Sequence, residues 1–353
     1  MSAADLAWCW QTARVLEASG RFARAADVLA RGLRKFRAAM SPLEHANFLR
    51  FHAYYRSLWA LHNLPRPVSF QRRPGRPIGH ALHVSMVKDE GDIVYAHLTN
   101  SYRNGLRNFV VADNASSDNT RLEIVRFREA HGDARVIVVE DPILAFYQKE
   151  KMSAFIDMGR AMLAAVGVRI DWVFPMDADE FVESFDPSRD LLAALEQADA
   201  TGRKMLLFFP SDASSREPLE VFPAGADLET TFPTISLFRG RMFSKLGYRI
   251  TAGAQLWMGN HFVFDCAETV DDLLIAAEHG LTMLHYPMRS LTHVRHKVIN
   301  GGRACEALNT PGYCEHWRGN YAAYQREGDA ALIRVYQEFL RQNAEKGRLG
   351  IGF

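Results

Sequence analysis

The sequence predicts an α/β protein, a mostly parallel sheet flanked by helices, preceded by an N-terminal helical extension. Three observations carry that prediction. Apolar runs of strand length alternate with segments of helical period after residue 80. Apolar residues recur at helical spacing through residues 1–62. The run "DWVFPMDADEF", residues 171–181, ends in Asp177, Asp179 and Glu180. Strands separated by helical crossovers build parallel sheets covered on both faces, and such sheets take ligands at the carboxyl ends of their strands. Negative charge gathered where a buried strand emerges fits that rule.

Composition narrows the class. The 353 residues are 48% hydrophobic and 24% charged, with Lys+Arg of 42 against Asp+Glu of 41. This is an ordinary globular balance, which argues against disorder and against a nucleic-acid partner. No window approaches the roughly 20 apolar residues of a transmembrane segment. In "MSAADLAWCW", Asp5 stands where the apolar stretch of a secretory signal would begin. A cytoplasmic protein is expected, free or peripherally associated with a membrane. Cys9, Cys266, Cys305 and Cys314 show no CxxC spacing, so reduced thiols are expected.

The elements follow in order. "ARVLEASGRFARAADVLARGLRKF" reads as two helices punctuated by Gly20, and "EHANFLRFHAYYRSLWALH" as a third. Gly20, Phe22 and Ala25 are spaced as in half a tetratricopeptide repeat, but one copy does not make a stack. Residues 1–62 are therefore expected to be a helical bundle capping the main domain. Pro65, Pro67, Pro74 and Pro77, with Gly75 and Gly79, mark residues 63–80 as a linker. Beyond it "ALHVSMV", "RNFVVADN", "ARVIVVED" and "DWVFPMD" are strands, separated by helices over "DIVYAHLTNSYRNG", "SDNTRLEIVRFREAHG" and residues 148–166. Residues 210–260, with Pro, Ser and Gly spread among acids, read as a long loop over the acceptor side, the kind that closes on a site and excludes water. Residues 303–353 read as a C-terminal helical segment.

The chemistry gathers at the strand ends. Two carboxylates two residues apart repel and lose hydration unless a cation or a set of donors compensates them. A divalent metal at Asp177 and Asp179 meets that need, and oxygen ligands favour Mg²⁺ or Mn²⁺. The loop "VVADNASSDNT" repeats the pattern. Asp113 and Asn114 leave a strand there, and Ser116, Ser117 and Asp118 supply capping oxygens for the next helix.

With these residues in view, "SMVKDEGDIVYAHLTNSYRNGLRNFVVADNASSDNT", "DWVFPMDADEF" and "LHYPMRSLTHVRHKVINGG" resemble, in order and spacing over residues 82–302, the signatures of family 2-like and family 92-like glycosyltransferases of GT-A fold. The resemblance implies a GT-A domain over residues 81–302 and a nucleotide-sugar donor held by Val87, Lys88, Glu90, Asp113, Asn114, Ser116, Asp118, Asp177 and Lys297. It implies a metal bridging the donor phosphates at Asp177 and Asp179, completed by His285 or else His261. Asn114 and Asp89 depart from the residues usual at those positions. Inverting transfer to a hydroxyl of a glycan or glycolipid acceptor is likewise implied.

The general base is open between Glu180 and His261, with Glu183 a third choice, since spacing alone does not orient a side chain. Arg289 is a second candidate diphosphate ligand beside Lys297. His293, His296, Cys305, Cys314 and His316 match no zinc-finger spacing. The aromatics of "YCEHWRGNYAAYQ" are expected to pack a helix onto the core. Two other classes share these features. A nucleotidyl- or phosphotransferase uses the same carboxylate–metal chemistry, and a carbohydrate-binding scaffold keeps the fold without turnover.

Overall fold

The computed structural model describes residues 3–64, 70, 74–145, 147–186, 188–222, 225–236, 243–308 and 315–346. Three helices come first: α1 (Ala3–Ala18), α2 (Phe22–Phe36) and α3 (Pro42–His62). In α2, Ala25, Ala26, Leu29, Leu33 and Phe36 face inward, while Arg24, Arg31 and Arg34 face solvent. The start of α3 is fixed by a capping box: Ser41 Oγ accepts the Glu44 N–H at 3.2 Å and the Glu44 carboxylate accepts the Ser41 N–H at 2.8 Å. The apolar interior of these helices is continuous with one face of the main sheet, and Tyr54 meets Phe209 edge-on at 5.3 Å. Residues 3–62 thus form a cap built into the body of the protein.

Within the expected linker, residues 65–69 and 71–73 lie outside the described residues. Ile78 already begins β1 (Ile78–Val87). Then follow α4 (Val94–Arg103), β2 (Leu106–Asp113), α5 (Thr120–Ala130), β3 (Arg135–Glu140), α6 (Gln148–Ala165) and β4 (Trp172–Pro175). These match the alternation read from the sequence. β1 runs parallel to both β2 and β4, and β2 to β3. Val87 stands opposite Asp113, and Asp113 opposite Glu140, so the first three strands end along one edge.

The chain continues through β5 (Glu180–Ser184), α7 (Leu191–Thr201), β6 (Met205–Phe208), β7 (Pro210–Ser214), α8 (Leu228–Thr231), β8 (Thr234–Ser236) and β9 (Lys245–Arg249). The expectation of one long loop over residues 210–260 is overturned here. Ser, Pro and Gly disfavour strands locally, but strand preference follows packing and pairing. β7 is buried along its whole length, and Gly247 of β9 lets the Phe174 ring lie against the backbone. β10 (Gln255–Leu256), β11 (Val263–Phe264), β12 (Leu273–Ile275), β13 (Leu281–His285), α9 (Leu291–Leu308), α10 (Glu315–Glu327) and α11 (Asp329–Lys346) complete the described chain.

The result is a mixed α/β fold with a mostly parallel central sheet flanked by helices. The main sheet has seven strands in the order β12-β6-β9-β4-β1-β2-β3, and β9 is its antiparallel member. A second sheet of four strands, β5-β13-β7-β8, stands beside it. α9 crosses residues 302 and 303 without a break, so the boundary expected there falls inside a helix. Its glycines are spaces for aromatics: a Cβ on Gly302 would lie 2.2 Å from the Tyr321 ring, and Trp317 covers Gly301. Packing, as expected, is what α10 does with these aromatics.

Candidate functional site

The second sheet assembles the site through its register. Glu180 of β5 stands opposite His285 of β13, and His285 stands opposite Asp212 of β7. Paired residues on neighbouring strands share a face of the sheet. His285 Nδ1 lies 2.7 Å from Asp212 Oδ1, and its Nε2 lies 3.4 Å from Asp179 Oδ2. The turn from β4 to β5 is held at both ends: the Met176 N–H donates to the Val84 carbonyl at 3.0 Å and the Tyr286 N–H to the Asp179 carbonyl at 2.8 Å. Glu180 also anchors it, accepting the Asp177 N–H at 3.1 Å. Ligand atoms of Asp179, Glu180 and His285 come within 4.8 Å of one another.

Lysines supply the opposing charge. Lys245 of β9, 4% exposed, places Nζ 2.5 Å from Asp177 and 2.7 Å from Glu180, and donates to the Gly259 carbonyl at 2.7 Å. Lys297 of α9 donates to Asp179 at 2.7 Å. Asp177, one-third exposed, also accepts from Asn260 at 3.1 Å. Burial pushes the Glu180 carboxyl up to about 7 against the pull of Lys245. Burial also opposes ionisation of Asp179, but Lys297 and His285 outweigh it and hold Asp179 well below the ordinary value. Burial disfavours the charged form of His285 too, and the carboxylates of Asp179 and Asp212 more than offset this, raising it.

These groups form one wall of a cavity of about 790 Å³. Glu90 and Lys297 also line it, and Phe243, Trp257, His261, Met288, Trp317 and Asn320 stand along the rest. His261 Nδ1 lies 3.0 Å from the Ser244 carbonyl. A carbonyl only accepts, so Nδ1 carries a proton. Gly259, at φ 68°, gives that ring its place: a Cβ there would lie 2.4 Å from His261 Nε2.

The loops after β1 and β2 make an adjoining polar network. Asp113 accepts the Ser116 N–H at 3.0 Å. Lys88 donates to the carbonyls of Asn114 at 2.9 Å and Ala115 at 2.8 Å. Asn114 donates to the Asp141 carboxylate and the Ile143 carbonyl, each at 2.8 Å. Asp118 caps α5 through the Thr120 N–H at 2.9 Å. Asp89 joins this loop to α9, accepting from Ser117 and from Asn300, each at 2.6 Å. Asp89, Ala115 and Asn260, in the loops around the cavity, have left-handed backbone, which costs energy in a non-glycine residue.

The structure therefore brings Glu90, Asp177, Asp179, Glu180, His261, His285 and Lys297 to one cavity, with Val87, Lys88, Asp113, Asn114, Ser116 and Asp118 at the adjoining strand ends. Arg289 is fully buried, its guanidinium held by Asp92 at 2.7 Å and Glu90 at 2.5 Å. Burial resists ionisation of Glu90, yet Arg289 pulls it down to about 2. Glu183 bonds Asn100 and Arg103 at the far end of β5. His293 is buried beside Arg289 and Glu90, Cys305 is buried in α9, and Cys314 lies outside the described residues. Lys245, Asp212 and Asn260 escaped sequence reasoning. A single lysine inside the apolar alternation of "MFSKLGYRI" was the available signal for the first.

No family model matches the chain, and no curated protein matches it. Among solved structures the chain is similar to the mannosyltransferase PcManGT from Pyrobaculum calidifontis in complex with GDP-Man and Mn²⁺. That likeness is 17% identical over 91% of this chain and 96% of that one, with a TM-score of 0.30. A second likeness, to HddC from Yersinia pseudotuberculosis, is 9% identical over 60% of this chain and 81% of that one, with a TM-score of 0.23. Among the described residues no helix is long and apolar enough to cross a membrane.

Proposed function

We propose that the chain is a metal-dependent glycosyltransferase that moves a sugar from a nucleotide donor to a hydroxyl of a glycan or glycolipid. One observation carries the reading: Asp179, Glu180 and His285 converge at the carboxyl edge of the sheet, on the wall of a cavity large enough for a nucleotide sugar. Two carboxylate oxygens and an imidazole nitrogen fit Mn²⁺ well, and Mg²⁺ less well because of the nitrogen. Asp212 supports that role. By accepting a hydrogen bond from Nδ1–H it would leave the Nε2 lone pair of a neutral His285 facing Asp179 and Glu180. A bound cation supplies neutralising charge for the leaving diphosphate.

The chain's own residues do the rest. Lys297 and Lys245 add positive charge beside the carboxylates, and Asp177 at the cavity rim would hold the cation together with Asp179. The loop holding Asp113, Asn114, Ser116 and Asp118 takes the nucleoside, with Val87, Lys88 and Glu90 beside it. His261 Nε2 takes the proton of the acceptor hydroxyl as its oxygen bonds to the anomeric carbon. The bond from that carbon to the diphosphate breaks with its electron pair on the diphosphate, on the opposite face, which gives inversion. Glu180, buried and bonded to Lys245 and the Asp177 N–H, serves the cation and not the acceptor.

A panel of UDP-, GDP- and dTDP-sugars incubated with Mn²⁺ tests the reading. Release of a nucleoside diphosphate, lost in Asp179→Asn, is the expected result. Pyrophosphate release would instead mean nucleotidyl transfer. No turnover and no binding of any nucleotide would leave a scaffold.

A further inference from the structure

Charge is segregated along this nearly neutral chain. Residues 1–77 carry thirteen Lys and Arg against four Asp and Glu, whereas residues 78–353 carry 29 against 37. The fold gathers much of the surplus on the helical cap. Arg24, Arg31 and Arg34 lie at helical spacing on the exposed face of α2. Two hollows open beside them. One of about 390 Å³, between α2, α3 and the edge strand β12, is lined by Arg31, Arg34, Arg56 and Arg203. Another of about 360 Å³ is lined by Arg21, Phe22, Arg24 and Trp59. Arg56 joins the two, its guanidinium 5.4 Å from the centre of the Trp59 ring. Three acids, Asp27, Asp271 and Glu278, also line the larger hollow, and Glu278 is paired with Arg56.

We propose that this face of the cap docks on an anionic bilayer surface, with Arg21, Arg24, Arg31 and Arg34 on lipid phosphates and Trp59 at headgroup level. Guanidinium groups bind phosphate through paired N–H donors, and several on one face suit a surface that presents many phosphates. Trp59 is 43% exposed. A tryptophan at the rim of a basic surface has the amphipathic chemistry of the water–lipid boundary, which a small soluble anion does not require. The apolar face of α2 is committed to the protein core, so attachment is by adsorption and not by insertion. The acidic remainder of the chain is repelled from the same surface, which turns the molecule cap-first toward it. The inference rests on charge and placement and stands apart from the transferase reading.

Vesicle co-sedimentation of the full chain tests it. Vesicles of phosphatidylcholine with about one third phosphatidylglycerol should bind the protein and pure phosphatidylcholine should not. Raising NaCl from about 0.1 to about 1 M, which shortens the screening length from about 10 to about 3 Å, should release it. Arg24→Gln, Arg31→Gln and Arg34→Gln combined should weaken binding about a hundredfold, at about fivefold per charge, and Trp59→Ala should weaken it with the charges intact. Nucleotide binding should be unchanged in all of them. If the triple variant does not fold, Arg31→Gln alone, at about fivefold, together with the salt titration, reads the same effect. Equal binding to both vesicle types, binding indifferent to these arginines, or capture of soluble polyphosphate with none of vesicles would overturn the proposal.

Discussion

Glu180 is under two opposing demands: it anchors the turn that carries Asp177 and Asp179, and it sits where a carboxylate loses its hydration. Its ordinary value of 4.5 is raised to about 7, burial being the largest cause. A folded-state value above the unfolded one means that folding favours the protonated form. That stabilisation is full below about pH 4.5 and is lost as pH rises through about 7. Glu180→Gln keeps the neutral shape at every pH. Thermal melts in EDTA should therefore show the variant equal to the native chain at pH 5 and equal or more stable at pH 8, while turnover falls about a hundredfold or more. A clear loss of melting temperature at pH 8 alone would mean that the ion pair with Lys245 outweighs burial.

At the scale of elements, α4 does for β5 what a neighbouring strand would do. Asn100 donates to the Val182 carbonyl at 3.1 Å and to Glu183 at 2.9 Å, and accepts the Val182 N–H at 3.1 Å. His97 Nδ1 donates to the Glu180 carbonyl at 2.9 Å, and burial drives that imidazole down to about 4, so it stays neutral. β5 in turn carries Glu180. Asn100→Ala leaves the buried Val182 N–H without its partner, while the Val182 carbonyl still accepts from Asn104 at 2.9 Å, so urea unfolding should show a loss of about 1–3 kcal/mol. Mn²⁺ affinity, read by calorimetry, should fall with it. A change in stability within the error of the extrapolation would mean that β5 holds its place without α4. Such links also mark what the sequence left unread. β1 to β4 and their helices were legible because apolar runs alternate with helical period, and Asp177, Asp179 and His285 because acids end a buried strand and the segments resemble a known pattern. Asn100, Asp212 and Lys245 act on residues 68 to 83 positions away, and nothing local marks such a pairing. β7 and β9 were hidden because pairing, not propensity, makes them strands.

Across the whole molecule, the helical cap reaches the candidate site through a buried side chain. Arg50 of α3 is 3% exposed, and its Nε donates to Ser244 Oγ at 3.1 Å. Ser244 in turn holds His261 twice, its Oγ donating to the His261 carbonyl at 2.5 Å and its own carbonyl meeting His261 Nδ1 at 3.0 Å. The next residue is Lys245. Two further links hold the cap to the same body: His45 Nε2 lies 2.7 Å from the Glu268 carbonyl, and Arg56 pairs with Glu278. Arg50→Met keeps much of the buried volume and removes the donor, so the chain should still fold while His261 loses its alignment. A misplaced catalytic group costs about tenfold to a hundredfold in rate. Turnover should fall by that amount, with nucleotide dissociation constants within about twofold of the native values, because the loops after β1 and β2 hold one another through Asp89, Lys88 and Asn114. Equal losses in binding and turnover would show that the cap supports the whole cavity, and no loss in either would show that His261 is held without it.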